Sequence, residues 1–137
     1  ETVVHYALSA AQVLVDLKVQ ALVIACNTAS SVAVPALKAQ FEPIPVIGVV
    51  EPGAMACLRQ IKRGRVLVLA TESTTRWHAY QQAFNSKNPD IEVVEWPCPL
   101  FVALAEEGWT EGALVESIVR EVLSPILNQH FDAIVLG

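Results

Sequence analysis

Short apolar runs, several of them Val/Leu/Ile stretches without polar alternation, recur along the chain, and segments of helical period separate them. The runs are Ala21 to Ala25, Val46 to Val50, Val66 to Ala70, Ile91 to Glu95 and Ala133 to Leu136. A strand with one wet face alternates apolar and polar residues, whereas a strand covered on both faces reads as a continuous apolar run. The pattern therefore predicts parallel strands joined by crossover helices, an α/β fold. Helices are predicted near 2–17, 29–40, 53–62, 75–86, 99–107 and 111–129. The last has the clearest apolar face, built from Leu114, Val115, Ile118, Val119, Val122, Leu123, Ile126 and Leu127, and Pro125 should kink it. Glu51-Pro52-Gly53 reads as a turn after the second strand and as the boundary between two units, residues 1–50 and 51–137; Arg63-Gly64 is a weaker boundary.

Composition narrows the partners. The chain has 137 residues, 53% of them hydrophobic, enough to bury a core. Only 17% are charged, the net charge is −5, and Lys and Arg are dispersed, so no basic stripe offers itself to nucleic acid. No apolar stretch reaches the roughly 20 residues that a bilayer crossing needs. The opening segment carries Asp16 and Lys18 on a helical pattern, without a basic leader or a small-residue cleavage site, and reads as neither membrane span nor signal peptide. Three cysteines at irregular spacing make no disulfide framework, which points to a reducing cytoplasm. His5, His78 and His130 share no metal-like spacing, and no Gly-rich phosphate loop is present. Trp77, Trp96 and Trp109 read as packing or surface residues, since no basic groove accompanies them. Because the chain opens with Glu1 and stops after an apolar run at Gly137, we expect it to be a piece of a longer protein.

An internal echo links the two ends. VLVDLKVQALVIA, ending at Ala25, resembles PILNQHFDAIVLG, ending at Gly137: a helix end, a polar turn, then a short apolar strand. The first copy runs directly into Cys26-Asn27-Thr28 and a helix opening near Ala29 or Ser30. Cys26 is thus expected at the carboxyl end of a parallel strand, where open α/β sheets place their ligand crevices. The helix N-terminus beside it favours a thiolate and offers unpaired N–H groups to an anion. Asn27 and Thr28 add an amide and a hydroxyl suited to a carboxylate ligand, and both also read as helix caps. Buried inert cysteine is the competing reading of Cys26. Cys57, inside an apolar helix, and Cys98, between two prolines, read as structural.

The blocks LVIACNTAS, PVIGVVEPGA, LATEST, CPLFVALAEEG and FDAIVLG, in that order and at compatible spacing, resemble the glutamate racemases of the aspartate/glutamate racemase superfamily across essentially the whole chain. The resemblance implies two similar flavodoxin-like parallel-sheet halves facing each other across a cleft, incomplete here at both ends. It further implies racemisation of L- and D-glutamate by two thiols on opposite faces of the α-carbon, with no cofactor and no metal, supplying D-glutamate for peptidoglycan. Cys26 would be one of the catalytic thiols. Thr71 and Thr74 match the family's threonine segment, which more often reads GTxGT; Ala70 and Ser73 replace its glycines here. Glu106, in preference to Glu107, matches an acidic residue of the catalytic machinery, against a plainer reading as a solvated helix end. Asn27, Thr28, Thr71 and Thr74 would bind substrate. The resemblance is compatible with a homodimer but does not fix the oligomeric state. Two alternatives stay open: an aspartate or other amino-acid racemase of the same superfamily, and a non-catalytic flavodoxin-like binding module with Cys26 buried. The CPLFV and EPGA blocks favour glutamate.

The resemblance also places an Asp-Ser-Gly motif ahead of Glu1, and the second thiol directly after Gly137, followed by a Thr-His pair. Reading the gene beyond Gly137 checks this, and any residue other than Cys, or Ser or Thr in a divergent relative, removes the two-thiol expectation.

Overall fold

All five predicted runs form strands, and every pairing between them is parallel. The structure, a computed structural model, describes residues 2–137. In chain order the elements are α1 (Thr2–Asp16), β1 (Leu22–Ile24), α2 (Asn27–Phe41), β2 (Val46–Gly48), α3 (Val50–Gln60), β3 (Gly64–Ala70), α4 (Glu72–Arg76), α5 (Ala79–Lys87), β4 (Ile91–Pro97), α6 (Pro99–Glu106), α7 (Ala113–Leu123) and β5 (Ala133–Leu136). They make two sheets, β1-β2 and β4-β3-β5 with β3 in the centre. Both copies of the internal echo end in a parallel strand, β1 and β5.

Two buried clusters follow the two sheets. Ala11, Leu22, Ala33, Leu37, Phe41 and Val46 pack α1 and α2 against β1-β2. Val50, Ala54 and Leu58 of α3 join Val66, Val68 and Ala70 of β3, Tyr80 and Phe84 of α5, and Ile91 of β4 in the other. Central β3 accordingly carries the most continuous burial, with Val66, Leu67 and Val68 all inside. Gly48 lets α2 lie close on β2, because a Cβ there would stand 2.8 Å from Val34 Cγ2 and 3.1 Å from Ser30 Oγ. Ser30 bridges the two strand ends: its hydroxyl donates to Ile24 O (2.8 Å) and accepts from Val49 N (3.1 Å).

Three local expectations need correction. Glu51-Pro52-Gly53 is the first turn of α3 and not a loop; a proline in a first turn loses no hydrogen bond, since that N–H has no intrahelical partner. The helix expected over 75–86 is two, α4 and α5, separated at His78, whose left-handed backbone (φ 50°) breaks the run. The helix expected over 111–129 stops at Leu123 instead of kinking through Pro125. Proline cannot donate to Glu121 O; Ser124 N (3.3 Å) and Ser124 Oγ (2.9 Å) take that carbonyl, and Ile126 N closes tightly onto Leu123 O (2.9 Å). Trp96 Nε1 donates to Val122 O (3.0 Å) and ties α7 to β4. Among the described residues no helix is long and apolar enough to cross a membrane.

Two contacts compete as the reason α5 docks. The Lys87–Glu51 pair (3.0 Å) is exposed on both sides, and such pairs contribute about 0–1 kcal/mol. Phe84 is fully buried, and truncating a buried Phe costs about 3–5 kcal/mol. Phe84→Ala should therefore lower unfolding free energy by about 3–5 kcal/mol, and Lys87→Ala by less than about 1 kcal/mol, both read from urea denaturation. Equal losses would show that the ion pair contributes as much to holding the helix as the ring does.

Candidate active site

The loop from β1 into α2 is only two residues long, so Cys26 is delivered at a strand end and a helix start together. Cys26 is the N-cap of α2, and its Sγ accepts from Ala29 N at 3.5 Å. The sulfur thus occupies the capping position that Asn27 or Thr28 was expected to fill. Among the described residues Cys26 is exposed. Cys57 is half-buried and Cys98 is buried, 3% exposed, with Cys98 Sγ directed at Trp96 O (3.7 Å). Burial pushes both of those thiols up from the ordinary cysteine range.

With the cap taken by sulfur, Asn27 and Thr28 in the first turn of α2 are free to bond elsewhere, and both cross to the other sheet. Thr28 Oγ1 lies 3.0 Å from Thr71 Oγ1 and 3.3 Å from Thr74 Oγ1, and the latter two are 3.1 Å apart. Thr71 follows β3 and caps α4, accepting from Thr74 N at 3.2 Å. Thr74 is fully buried, while Thr28 and Thr71 are half-buried. Three hydroxyl protons serve the three edges of this triangle, so an arriving acceptor can recruit a donor by turning one hydroxyl outward. Asn27 Oδ1 accepts from Tyr80 Oη at 2.8 Å. Burial pushes the Tyr80 phenol up, so it remains a donor at neutral pH.

Of the six residues expected at the site, five converge: Cys26, Asn27 and Thr28 from the β1 end, Thr71 and Thr74 from the β3 end. Glu106 closes α6, is exposed, and makes no side-chain hydrogen bond or ion pair among the described residues. Tyr80 was missed as a site residue. Its signal in the sequence is weak, because an aromatic on a helix reads as core. Among the described residues, no three His, Cys, Asp or Glu side chains gather as a metal site would require. A groove of about 570 Å³ between α2, α3 and α5 includes none of the six. A smaller one of about 430 Å³ is lined by Thr28, Ser31, Ser73 and Trp77 among others.

An exposed thiol on a helix N-terminus, flanked by hydroxyl and amide groups at the carboxyl ends of parallel strands, defines a thiol-bearing α/β protein. The Asp/Glu/Hydantoin racemase family model matches residues 1–137, and the chain belongs to that family. Glutamate racemase of Geobacter metallireducens is 47% identical over 137 residues, all of this chain and 50% of that protein. Glutamate racemase of Aquifex aeolicus is 42% identical over 137 residues, 52% of its length. Among solved structures, glutamate racemase from Francisella tularensis in complex with D-glutamate aligns with TM-score 0.87 and 35% identity over 97% of this chain and 49% of that one. A glutamate racemase isoform of Bacillus anthracis aligns with TM-score 0.90 and 29% identity over 97% of this chain and 50% of that one. The chain spans about half the length of the curated relatives it matches.

The three cysteines should separate on brief treatment with iodoacetamide. The thiolate is the reactive form, and thiols pushed up by burial hold less of it. Peptide mass spectrometry should find Cys26 alkylated first, Cys57 later and Cys98 last. Modification of Cys98 as fast as Cys26 would contradict the burial of the one and the exposure of the other.

Proposed function

We propose that this chain supplies one side of the catalytic cleft of a glutamate racemase, with Cys26 as one of two thiols that exchange the α-proton. The observation that carries this reading is the exposed sulfur of Cys26 seated on the α2 N-terminus beside the Asn27–Thr28–Thr71 donors. Relatives named glutamate racemase at 40–47% identity across the whole chain support the substrate. Residues 1–50 then belong to one α/β unit and 51–137 to the other. The separation of the buried clusters supports that division, with Val50 siding with the second.

In this reading the substrate carboxylate lies against the α2 N-terminus. Asn27 donates from Nδ2, and one of Thr28 and Thr71 turns its hydroxyl to donate, while wholly buried Thr74 backs them. Hydrogen bonds to a charged group contribute about 1.5–3 kcal/mol each, whereas a helix terminus contributes about 0.3–1 kcal/mol at an exposed site. The side-chain donors therefore dominate binding, and the helix mainly serves the sulfur. Cys26 as thiolate takes the α-proton, negative charge spreads into the bound carboxylate, and an opposed thiol returns a proton on the other face, inverting the centre. In the reverse direction the two thiols exchange roles. The opposed thiol is expected from the residue after Gly137. Supporting this, Gly137 packs on the Tyr80 ring whose hydroxyl donates to Asn27, so one side chain links the residue after β5 to the start of α2. Glu106 enters on the resemblance alone, as an acidic group tuning the proton-transfer machinery. D-glutamate made this way would supply peptidoglycan in the cytoplasm, and the protein would act as a homodimer.

Cys26→Ala in the full-length protein should cut racemisation in both directions by on the order of 10²- to 10⁴-fold, the usual cost of losing one acid–base group. Folding should survive with a loss of at most about 1–2 kcal/mol, and glutamate should still bind. Racemisation in deuterated water, thermal unfolding and calorimetric affinity on one preparation test all three. A folded, glutamate-binding Cys26→Ala protein with turnover within a few-fold of wild type would overturn the proposal.

A further inference from the structure

Tyr80 lies where four elements meet. It is 2% exposed and belongs to α5. A Cβ on Gly137, after β5, would stand 2.9 Å from Tyr80 Cε2; a Cβ on Gly53, in α3, would stand 3.3 Å from its hydroxyl oxygen. Ala70, ending β3, faces the same point, 3.1 Å from that Gly137 Cβ. The ring is thus immobilised by two close backbone approaches, and its hydroxyl has one direction left, toward Asn27 Oδ1 at 2.8 Å.

That bond settles how the Asn27 carboxamide is used. An amide has an acceptor end and a donor end, and turning it by half a revolution exchanges them. With Oδ1 held by a donor, Nδ2 occupies the other branch and makes no hydrogen bond among the described residues. A carboxylate can use only donors, so one orientation of Asn27 attracts it and the other presents a carbonyl oxygen to it. We propose that Tyr80 is a positioning residue that locks the Asn27 carboxamide with its donor end toward the substrate carboxylate. This rests on the racemase reading given above. The same ring lies against Gly137, whose N–H bonds Leu69 O (2.8 Å) at the end of the β3–β5 ladder.

The test is a double-mutant cycle in the full-length protein, using D-glutamate as the probe. Tyr80→Phe keeps the packed ring and removes only the hydroxyl. It should lower kcat/KM about tenfold, the low end for one lost hydrogen bond to a charged group. The fall should appear in KM, because the carboxylate is already charged in the ground state, and also in kcat, because negative charge grows on it as the α-proton leaves. In an Asn27→Ala background the same change should alter kcat/KM less than about twofold, since the group it acts through is gone. A packing role would lower both backgrounds equally, and that result overturns the proposal, as does a Tyr80→Phe protein with unchanged KM. Asn27→Asp tests the orientation independently of whether Tyr80→Phe folds: it keeps the acceptor facing Tyr80 and replaces the donor. D-glutamate affinity should fall more than about 100-fold with thermal unfolding little changed, and retained affinity overturns the proposal. If the unsubstituted protein neither binds nor racemises glutamate, the racemase reading falls and this one with it. If it is active while the cycle is additive, only the role of Tyr80 falls.

Discussion

The hydroxyl triangle of Thr28, Thr71 and Thr74 is where the two sheets communicate. Thr28 arrives from the end of β1 and the other two from the end of β3. Each edge is an ordinary neutral hydrogen bond contributing about 0.5–1.5 kcal/mol. Their significance is geometric, for they bring the carboxyl ends of strands from separate sheets together. The Tyr80–Asn27 bond adds a second tie a few residues away. With one connection only, the strand ends could pivot about it; with two, the donors and the Cys26 sulfur keep a common orientation.

The chemistry at the β1 end follows from a division of labour among three consecutive residues. Cys26 takes the capping position normally filled by Ser, Thr, Asp or Asn. Sulfur is a weak acceptor, so as a cap it gives up some helix stability relative to an oxygen. In return a thiol stands exposed on the positive end of a 15-residue helix. Because the cap is filled, Asn27 and Thr28 can reach across to Tyr80 and to the threonines. An Asn or Ser at position 26 would cap α2 better and leave no sulfur at the crevice.

Much of this could be read along the chain, and the errors are instructive. The apolar runs marked every strand, but only β3 has the two-sided burial that such runs imply; Val23, Ile47, Ile134 and Leu136 leave one face of β1, β2 and β5 exposed. Helix limits were less legible wherever a proline or an unusual backbone intervened. Pro52 looked like a turn residue but stands in a first helical turn, where proline is tolerated. Pro125 looked like a kink but ends its helix, because Ser124 claims the carbonyl that Pro125 cannot reach. The break at His78 had no local signal at all. Its side chain pairs with Glu95 of β4, across 17 residues (2.7 Å), and that partner is not visible in the residues around it.

Short-range information was enough to put a thiol at the end of a strand and the start of a helix, and to mark Asn27, Thr28, Thr71 and Thr74 as polar groups beside strand ends. Those properties depend on neighbours within a few residues, which chain connectivity brings together whatever the rest of the molecule does. Tertiary structure alone decided which hydroxyls meet and that Tyr80 is held against Asn27. Those contacts join positions 43, 46 and 53 residues apart. They exist only because the packing of α2, α4 and α5 over two parallel sheets brings the strand ends within hydrogen-bonding range. No local periodicity records that distance.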